Sequence, residues 1–280
     1  MKKILITGNS GYIGSHLTAL LGNEYELYGM DIQDPKVSIP TFFKMDITRP
    51  FYTAVPSQLD HKFDAIVHLA ALVNVGESQR RPIAYYLTNL NGTMNVLNKL
   101  KTKHFIFAST GAAEGCASAY GISKRAAEDV VRSYCTSNDI DYTIFRFYNV
   151  IGSTVAQPTN PDGLMYNLLR AKDTGKFTIF GNDYEISADG TAIRDYVHVL
   201  EICDAIRTAI DAPSNSVECL GHGVGYSVLE IVNLFQKING IDLEVSYGPR
   251  REGDLPISVL ANVSLYMKSL YQIEDLLKVK

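Results

Sequence analysis

The segment KILITGNSGYIGSHL, residues 3–17, constrains the fold more than any other stretch of the chain. Residues 3–7 are apolar and β-branched enough to read as a strand. GNSGYIG (8–14) follows at once, and residues 12–21 continue as a helix. Gly8, Gly11 and Gly14 permit a tight turn, close approach of main chain to a pyrophosphate, and close packing of helix on strand. Tyr12 and Ile13 belong to the same cradle, whose helix opens with free N–H groups suited to an anion. A glycine triplet alone is weak evidence; its place between strand and helix makes it specific. Asp31 ends the second strand, 17 residues after Gly14. A carboxylate there accepts hydrogen bonds from both adenosine ribose hydroxyls and repels a 2′-phosphate, so the expected cofactor is NAD rather than NADP.

Strand-like runs at 3–7, 26–30, 41–45, 65–70, 104–109 and 142–147 alternate with helical stretches at 12–21, 82–100 and 120–136. The first, fourth and fifth runs are nearly continuously apolar, as strands covered on both faces are. This alternation predicts an α/β fold: a doubly wound parallel Rossmann sheet. After residue 148 the texture changes. A Pro/Gly/Asn/Ser loop (151–163), a helix (164–172), a strand leading into a turn-rich loop (177–191) and an amphipathic helix (226–238) suggest a smaller cap. The expected division is an NAD-binding domain over 1–149, its sheet rejoined by 190–220, and a mainly nucleotide-sugar-binding domain over 150–280.

Composition narrows the class. The chain has 280 residues, 46% hydrophobic and 20% charged, with a net charge of −4. No basic excess points to nucleic acid or to a membrane surface. Four widely spaced cysteines form no CxxC pair and suit a reducing compartment. The opening MKKILITG is too short in apolar residues for a signal-peptide core, and no apolar run approaches a bilayer span. The expected location is cytoplasmic. The six histidines show no metal-ligand spacing, so no metal ligands are expected.

AYGISKRAAEDV (119–130) places Tyr120 and Lys124 four apart, on one face of a helix. Here a resemblance carries the reading. Thr7-Gly8-x-x-Gly11-x-x-Gly14, then MDI (45–47), HLAA (68–71), NLNGT (89–93) and YGISK (120–124), resemble in order the motifs of the extended short-chain dehydrogenase/reductases. VGES (75–78), GNDY (181–184), DGTAIRDYVHV (189–199), GVGYSVLEIV (223–232) and PRREGDLP (249–256) are similar to the branch that epimerises UDP-hexoses at C4. The similarity runs from residue 1 to about 260.

The resemblance implies an isomerase, a UDP-hexose 4-epimerase that uses NAD, works through a 4-keto intermediate and forms a homodimer through helices 82–100 and 120–136. UDP-glucose/UDP-galactose is the implied pair, with the N-acetylated pair admitted by small Ser258. The resemblance also implies that Tyr120 is the general acid/base and that Lys124 holds the nicotinamide ribose and lowers the tyrosine pKa. Thr110 then bridges sugar O4 and the tyrosine. Further cofactor contacts carry over to Asp46, Ile47, Leu69, Ala70, Ala71, Asn89 and Tyr148. Nucleotide-sugar contacts carry over to Asn149, Phe180, Arg194, Arg251, Asp254 and Ser258.

The chain also departs from the family. Val73 stands where a lysine lies near the cofactor, and Asp162-Gly163 replaces an amide pair. AEG stands for the usual VYG turn, only CASA (116–119) separates that turn from Tyr120, and the tail after residue 262 is short. Two other readings stay open. Dehydratases and decarboxylases of the same branch need an acidic residue just after the catalytic threonine; Gly111, Ala112 and Ala113 stand there, and Glu114 comes one or two places late. The other is a non-catalytic NAD-binding regulator.

Overall fold

The computed structural model describes residues 1–49, 56–152, 155–251 and 253–278. The first half supplies strands β1 (Lys3–Thr7), β2 (Glu26–Asp31), β3 (Thr41–Lys44), β4 (Lys62–His68), β5 (Lys101–Thr110) and β6 (Asp141–Phe147). The second supplies β7 (Asn149–Ile151), β8 (Lys176–Phe180), β9 (Ile193–His198), β10 (Ser216–Leu220), β11 (Gly225–Ser227), β12 (Glu244–Gly248) and β13 (Ile257–Ser258). The helices are α1 (Tyr12–Leu21), α2 (Val75–Arg80), α3 (Pro82–Tyr85), α4 (Gly92–Lys99), α5 (Ala112–Gly115), α6 (Ala119–Ser137), α7 (Leu164–Thr174), α8 (Val199–Asp211), α9 (Val228–Asn239) and α10 (Ile273–Leu277).

Seven strands form one parallel sheet in the order β10-β6-β5-β4-β1-β2-β3. This is the doubly wound Rossmann arrangement expected from the alternation. Its cause is visible in β1. Ile4 and Ile6 enter one core with α1 and α8, while Leu5 enters the opposite core with α4 and α6, and all three are fully buried. Each such side chain contributes about 1.5–3 kcal/mol of burial. Polar groups inside the sheet are paired. Thr7 Oγ1 meets His68 Nδ1 at 2.7 Å, and His68 Nε2 meets Thr93 Oγ1 at 3.0 Å. Burial pushes the His68 pKa down to about 3, so the ring is neutral.

A third core holds the cap. Leu168, Phe177, Ile179, Ile231, Phe235 and Leu276 join α7, α9 and α10 to the parallel β8–β12 pair. β9 pairs with β7, β11 and β13. After this excursion α8 packs on the main sheet's first core, and β10 pairs with β6 at its edge.

Two elements differ from expectation. The helix expected over 82–100 is continuous to Lys99 but not uniform: α3 passes into a π-helical segment, Tyr86–Asn91, before α4. One wider turn re-phases the two parts, which a reading based on a 3.6-residue period does not register. The helix expected from 226 begins at Val228, because Tyr226 and Ser227 belong to β11. The Ser227 side chain then caps α9 by accepting from Glu230 N at 3.0 Å.

Candidate active site

The sheet's connections reverse direction between β1 and β4, and a crevice opens there beyond the strands' carboxyl ends, as expected for open α/β sheets. It is a cleft of about 900 Å³, roofed by the cap. The glycine turn forms one end. Gly8 has φ +75°, and a Cβ on it would lie 2.6 Å from Ala70 N; a Cβ on Gly14 would lie 2.1 Å from Gly8 O. Main chain packs against main chain, and no side chain fits between. α1 starts at this cradle with no side-chain cap and no acidic residue in its first turn, so its leading N–H groups are available to an anion. Asp31, at the end of β2, is held by Ser10 N (3.0 Å) and Gln33 N (2.9 Å). Cradle, helix terminus and carboxylate together fit an NAD.

Thr110 is the last residue of β5, and Tyr120 and Lys124 lie one turn apart near the start of α6. Ser118 caps this helix by accepting from Gly121 N at 3.1 Å. Gly121 lets α6 approach α5 closely, since a Cβ there would sit 2.4 Å from Ala112 O. The close approach sets Tyr120 beside the end of β5, where the Thr110 side chain acts on the phenol and favours its ionised form. Tyr120 also meets the Tyr85 ring edge-on, with centroids 6.3 Å apart. The Lys124 ammonium lies over the Phe107 ring, 4.1 Å from its centroid.

Burial dominates the electrostatics of this pair. Burial pushes the Tyr120 pKa up to about 12, with the Thr110 hydrogen bond opposing it. Burial pushes Lys124 down to about 7, with Glu128 opposing it. For each of the two groups desolvation is the largest cause, and it favours the uncharged form.

The other candidates divide into two groups. Gly8, Gly11, Tyr12, Ile13, Gly14, Leu69, Ala71, Thr110, Tyr120, Lys124, Tyr148, Asn149, Phe180, Arg194, Arg251, Asp254 and Ser258 all line the cleft. Asp31, Asp46, Ile47, Ala70 and Asn89 are not among the lining residues. Asp46 Oδ1 accepts from Thr48 N and its hydroxyl, at 2.9 and 2.8 Å. Ile47 is buried in the second core. Asn89 is buried and turned inward, holding both Leu72 N (2.8 Å) and Leu72 O (3.0 Å) and also Ser123 Oγ (3.1 Å).

On the cap side, Arg194 Nη2 lies 2.5 Å from Asp254 Oδ1, and Arg251 stacks on Phe180 while donating to Asp162 O at 2.8 Å. Ser258 pairs in register with Arg194. The departures Val73 and Asp162 both face the cleft. Glu114 does not line it. It is half-exposed on α5, accepts from Arg146 Nη1 at 3.2 Å, and is engaged by the Cys219 thiol. Sequence reasoning missed what lies beneath the tyrosine–lysine pair: Glu128, Arg146 and Ser109. The available signal was the spacing Tyr120, Lys124, Glu128, in steps of four on one helix face.

Residues 4–219 match the model of the NAD dependent epimerase/dehydratase family. The chain belongs to this family. Within it, the chain is 33% identical to a UDP-glucose 4-epimerase of Lactobacillus helveticus, over 93% of this chain and 88% of that protein. It is 31% identical to one of Bacillus subtilis, over 90% and 86%. Among solved structures of epimerases, a UDP-glucose-4-epimerase from Stenotrophomonas maltophila with bound NAD and formylated UDP-arabinopyranose superposes with a TM-score of 0.86. It is 26% identical, with 99% of this chain and 96% of that one covered. The UDP-Glc/GlcNAc 4-epimerase of Campylobacter jejuni is 29% identical, with a TM-score of 0.76 and coverage of 98% and 96%.

Proposed function

We propose that this protein is an NAD-dependent 4-epimerase of UDP-hexoses. The observation that carries the reading is that Thr110, Tyr120 and Lys124 line the same cleft as the glycine cradle. Gly8, Gly11 and Gly14 with the start of α1 hold the cofactor's pyrophosphate, and Asp31 holds its adenosine ribose. Bound NAD supplies a reversible two-electron acceptor for sugar C4.

The chain's own residues do the rest. Tyr120 removes the proton of the 4-hydroxyl, with Thr110 bridging the two oxygens. Lys124 steadies the nicotinamide ribose. Tyr120 starts above its ordinary pKa, so it becomes a base only when further positive charge stands beside it, as the oxidised nicotinamide provides. Charge and base therefore arrive together. The 4-keto sugar turns over in the cleft so that the opposite face of C4 would take back the two electrons and hydrogen, and Tyr120 returns the proton to O4. No net redox change occurs. Arg194 and Arg251 suit the diphosphate by charge-assisted hydrogen bonds.

Elimination needs an acid directly after Thr110. Gly111 and Ala112 line the cleft there, and Glu114 is turned onto Arg146. This favours epimerisation over the dehydratase course. Incubation with UDP-glucose, followed by NMR of the product, tests the reading. Inversion at C4 is the expected result; loss of water to a 4-keto-6-deoxy sugar overturns it. Tight NAD binding with no turnover on any nucleotide sugar favours the regulator.

The same reading covers the finer expectations. Ser258, lining the cleft beside Arg194, leaves room for an acetamido group, so the N-acetylated UDP-hexoses are substrates too. Ile83, Leu87, Met94 and Ile122 are exposed apolar residues on neighbouring helices, which supports a homodimer; monomeric mass by light scattering contradicts it. Four free cysteines suit the cytoplasm. Among the described residues, no helix is long and apolar enough to cross a membrane. Residues 1–149 bind the dinucleotide and 150–280 mainly the sugar nucleotide.

A further inference from the structure

Beneath Tyr120 and Lys124 lies a charged cluster that the reaction as described does not use. Glu128 stands one turn beyond Lys124 on the same face of α6, and both side chains are buried. The Glu128 carboxylate accepts from Arg146 Nε (2.9 Å) and Nη2 (2.7 Å) and from Ser109 Oγ (2.5 Å). Ser109 is the residue before Thr110, and Arg146 comes from the adjacent strand β6. A carboxylate buried to 1% exposure would be costly without these partners. Among the described residues it forms no ion pair with Lys124, whose ammonium rests on Phe107 instead.

The surroundings of Lys124 are otherwise poor in negative charge. On α6 it is flanked by Tyr120 and Glu128. From β5 it faces Phe107, and from β4 it faces His68, which is neutral at physiological pH and whose own protonation Lys124 disfavours. Tyr85, on α3, is a phenol that burial keeps protonated. Arg146 on β6 is ion-paired to Glu128 and to Glu114 on α5. Glu128 is thus the carboxylate whose field reaches a lysine that burial otherwise pushes toward its neutral form.

We propose that Glu128 is a positioning residue that sets the charge on Lys124, and that Arg146 sets how much of that carboxylate's field the lysine feels. The lysine keeps its proton because a carboxylate lies behind it. It stays unpaired, and so free to donate toward a ribose, because Arg146 and Ser109 occupy that carboxylate. This deepens the epimerase reading and rests on it for its catalytic meaning. The ionisation itself is independent of turnover.

The test is an NMR titration of the full-length protein labelled at lysine Cε, with the Lys124 signal assigned by Lys124→Met. In Glu128→Gln the Lys124 midpoint falls by about one pH unit, a tenfold loss of proton affinity. In Arg146→Gln it rises, because Glu128 is released toward the lysine. The double variant Glu128→Gln/Arg146→Met removes the buried pair as a unit, which proteins tolerate better than a lone buried charge. It gives the same downward shift and serves if the single variant does not fold. The basic limb of the epimerisation pH profile moves in the same directions as the midpoints. A Lys124 midpoint within about 0.2 units of the parent protein in the folded variants overturns the proposal. Shifted midpoints with no turnover of any UDP-hexose would leave this proposal standing and sink the epimerase reading.

Discussion

The floor of the cleft and its roof are built on different principles. On the floor, Thr110 ends a ten-residue strand and Tyr120 and Lys124 ride a nineteen-residue helix, with fully buried side chains behind them. On the roof, Arg194, Arg251, Asp254 and Ser258 sit on strands of two to six residues and the loops between them. The floor groups are shifted far from their ordinary pKa values by burial. The roof arginines stay partly open and are satisfied by Asp254, a backbone carbonyl and the Phe180 face. Proton transfer tolerates little misplacement, and the proposed function assigns it to the part built on long, buried elements. The same proposal assigns recognition of a flexible diphosphate to charged groups that can re-pair.

Substitutions on the two sides should therefore fail in different ways. Tyr120→Phe has the largest expected effect, a loss of about 10²- to 10⁴-fold in turnover with NAD retained, read from kcat and bound nucleotide. A variant keeping more than about a tenth of the parent rate would remove Tyr120 as the base. Arg194→Ala comes next. It deletes a charge-assisted contact of about 1.5–3 kcal/mol, so KM for the UDP-sugar should rise roughly ten- to a hundredfold while kcat changes less. An equal fall in kcat alone would mean that roof and floor are not separable as described.

Ser258→Tyr is smaller still and selective. It should lower kcat/KM for UDP-N-acetylgalactosamine about tenfold more than for UDP-galactose, by steric exclusion. Equal losses on both sugars in competition kinetics would indicate general damage to the roof. The smallest effect belongs to Lys176→Ala, which breaks the exposed Lys176–Glu244 pair between β8 and β12. Thermal unfolding should show a change under about 0.5 kcal/mol. A larger one would mean that the roof depends on its surface charges more than on Phe177, Ile179 and Phe235 beneath them.

The same contrast explains what could be read from residues alone. Ile4, Leu5 and Ile6 declare a strand buried on both faces, and Gly8, Gly11 and Gly14 declare the turn that follows, because both obey local rules of spacing. Tyr120 and Lys124 are legible through their four-residue step. Three kinds of feature escape such rules. The π-helical segment at Tyr86–Asn91 is a change of phase with no residue type of its own. β7, β11 and β13 have two or three residues each, too few to display alternation. Glu128 and Arg146 read as solvated charges on a helix and a strand, and only the sheet's register places them together under the site. The tyrosine's raised pKa was likewise invisible, since it comes from desolvation, which no motif encodes.

The placement of β10 has a consequence for how the chain reaches this structure. β10 pairs with β6 at the edge of the main sheet, yet residues 148–215 separate them, and much of the cap lies in that interval. The edge cannot close until that whole stretch has been synthesised and drawn in. Its closure carries the entropic cost of a long loop, a cost that grows only slowly with length but is met before any of the pairing is gained. A nascent chain ending near residue 149 should hold β6 with one flank bare, an unpaired strand edge open to association with other chains. Sheet and cap are thereby joined in time as well as in space: the sheet is completed by a strand that follows the first part of the cap, and the rest of the cap comes after it.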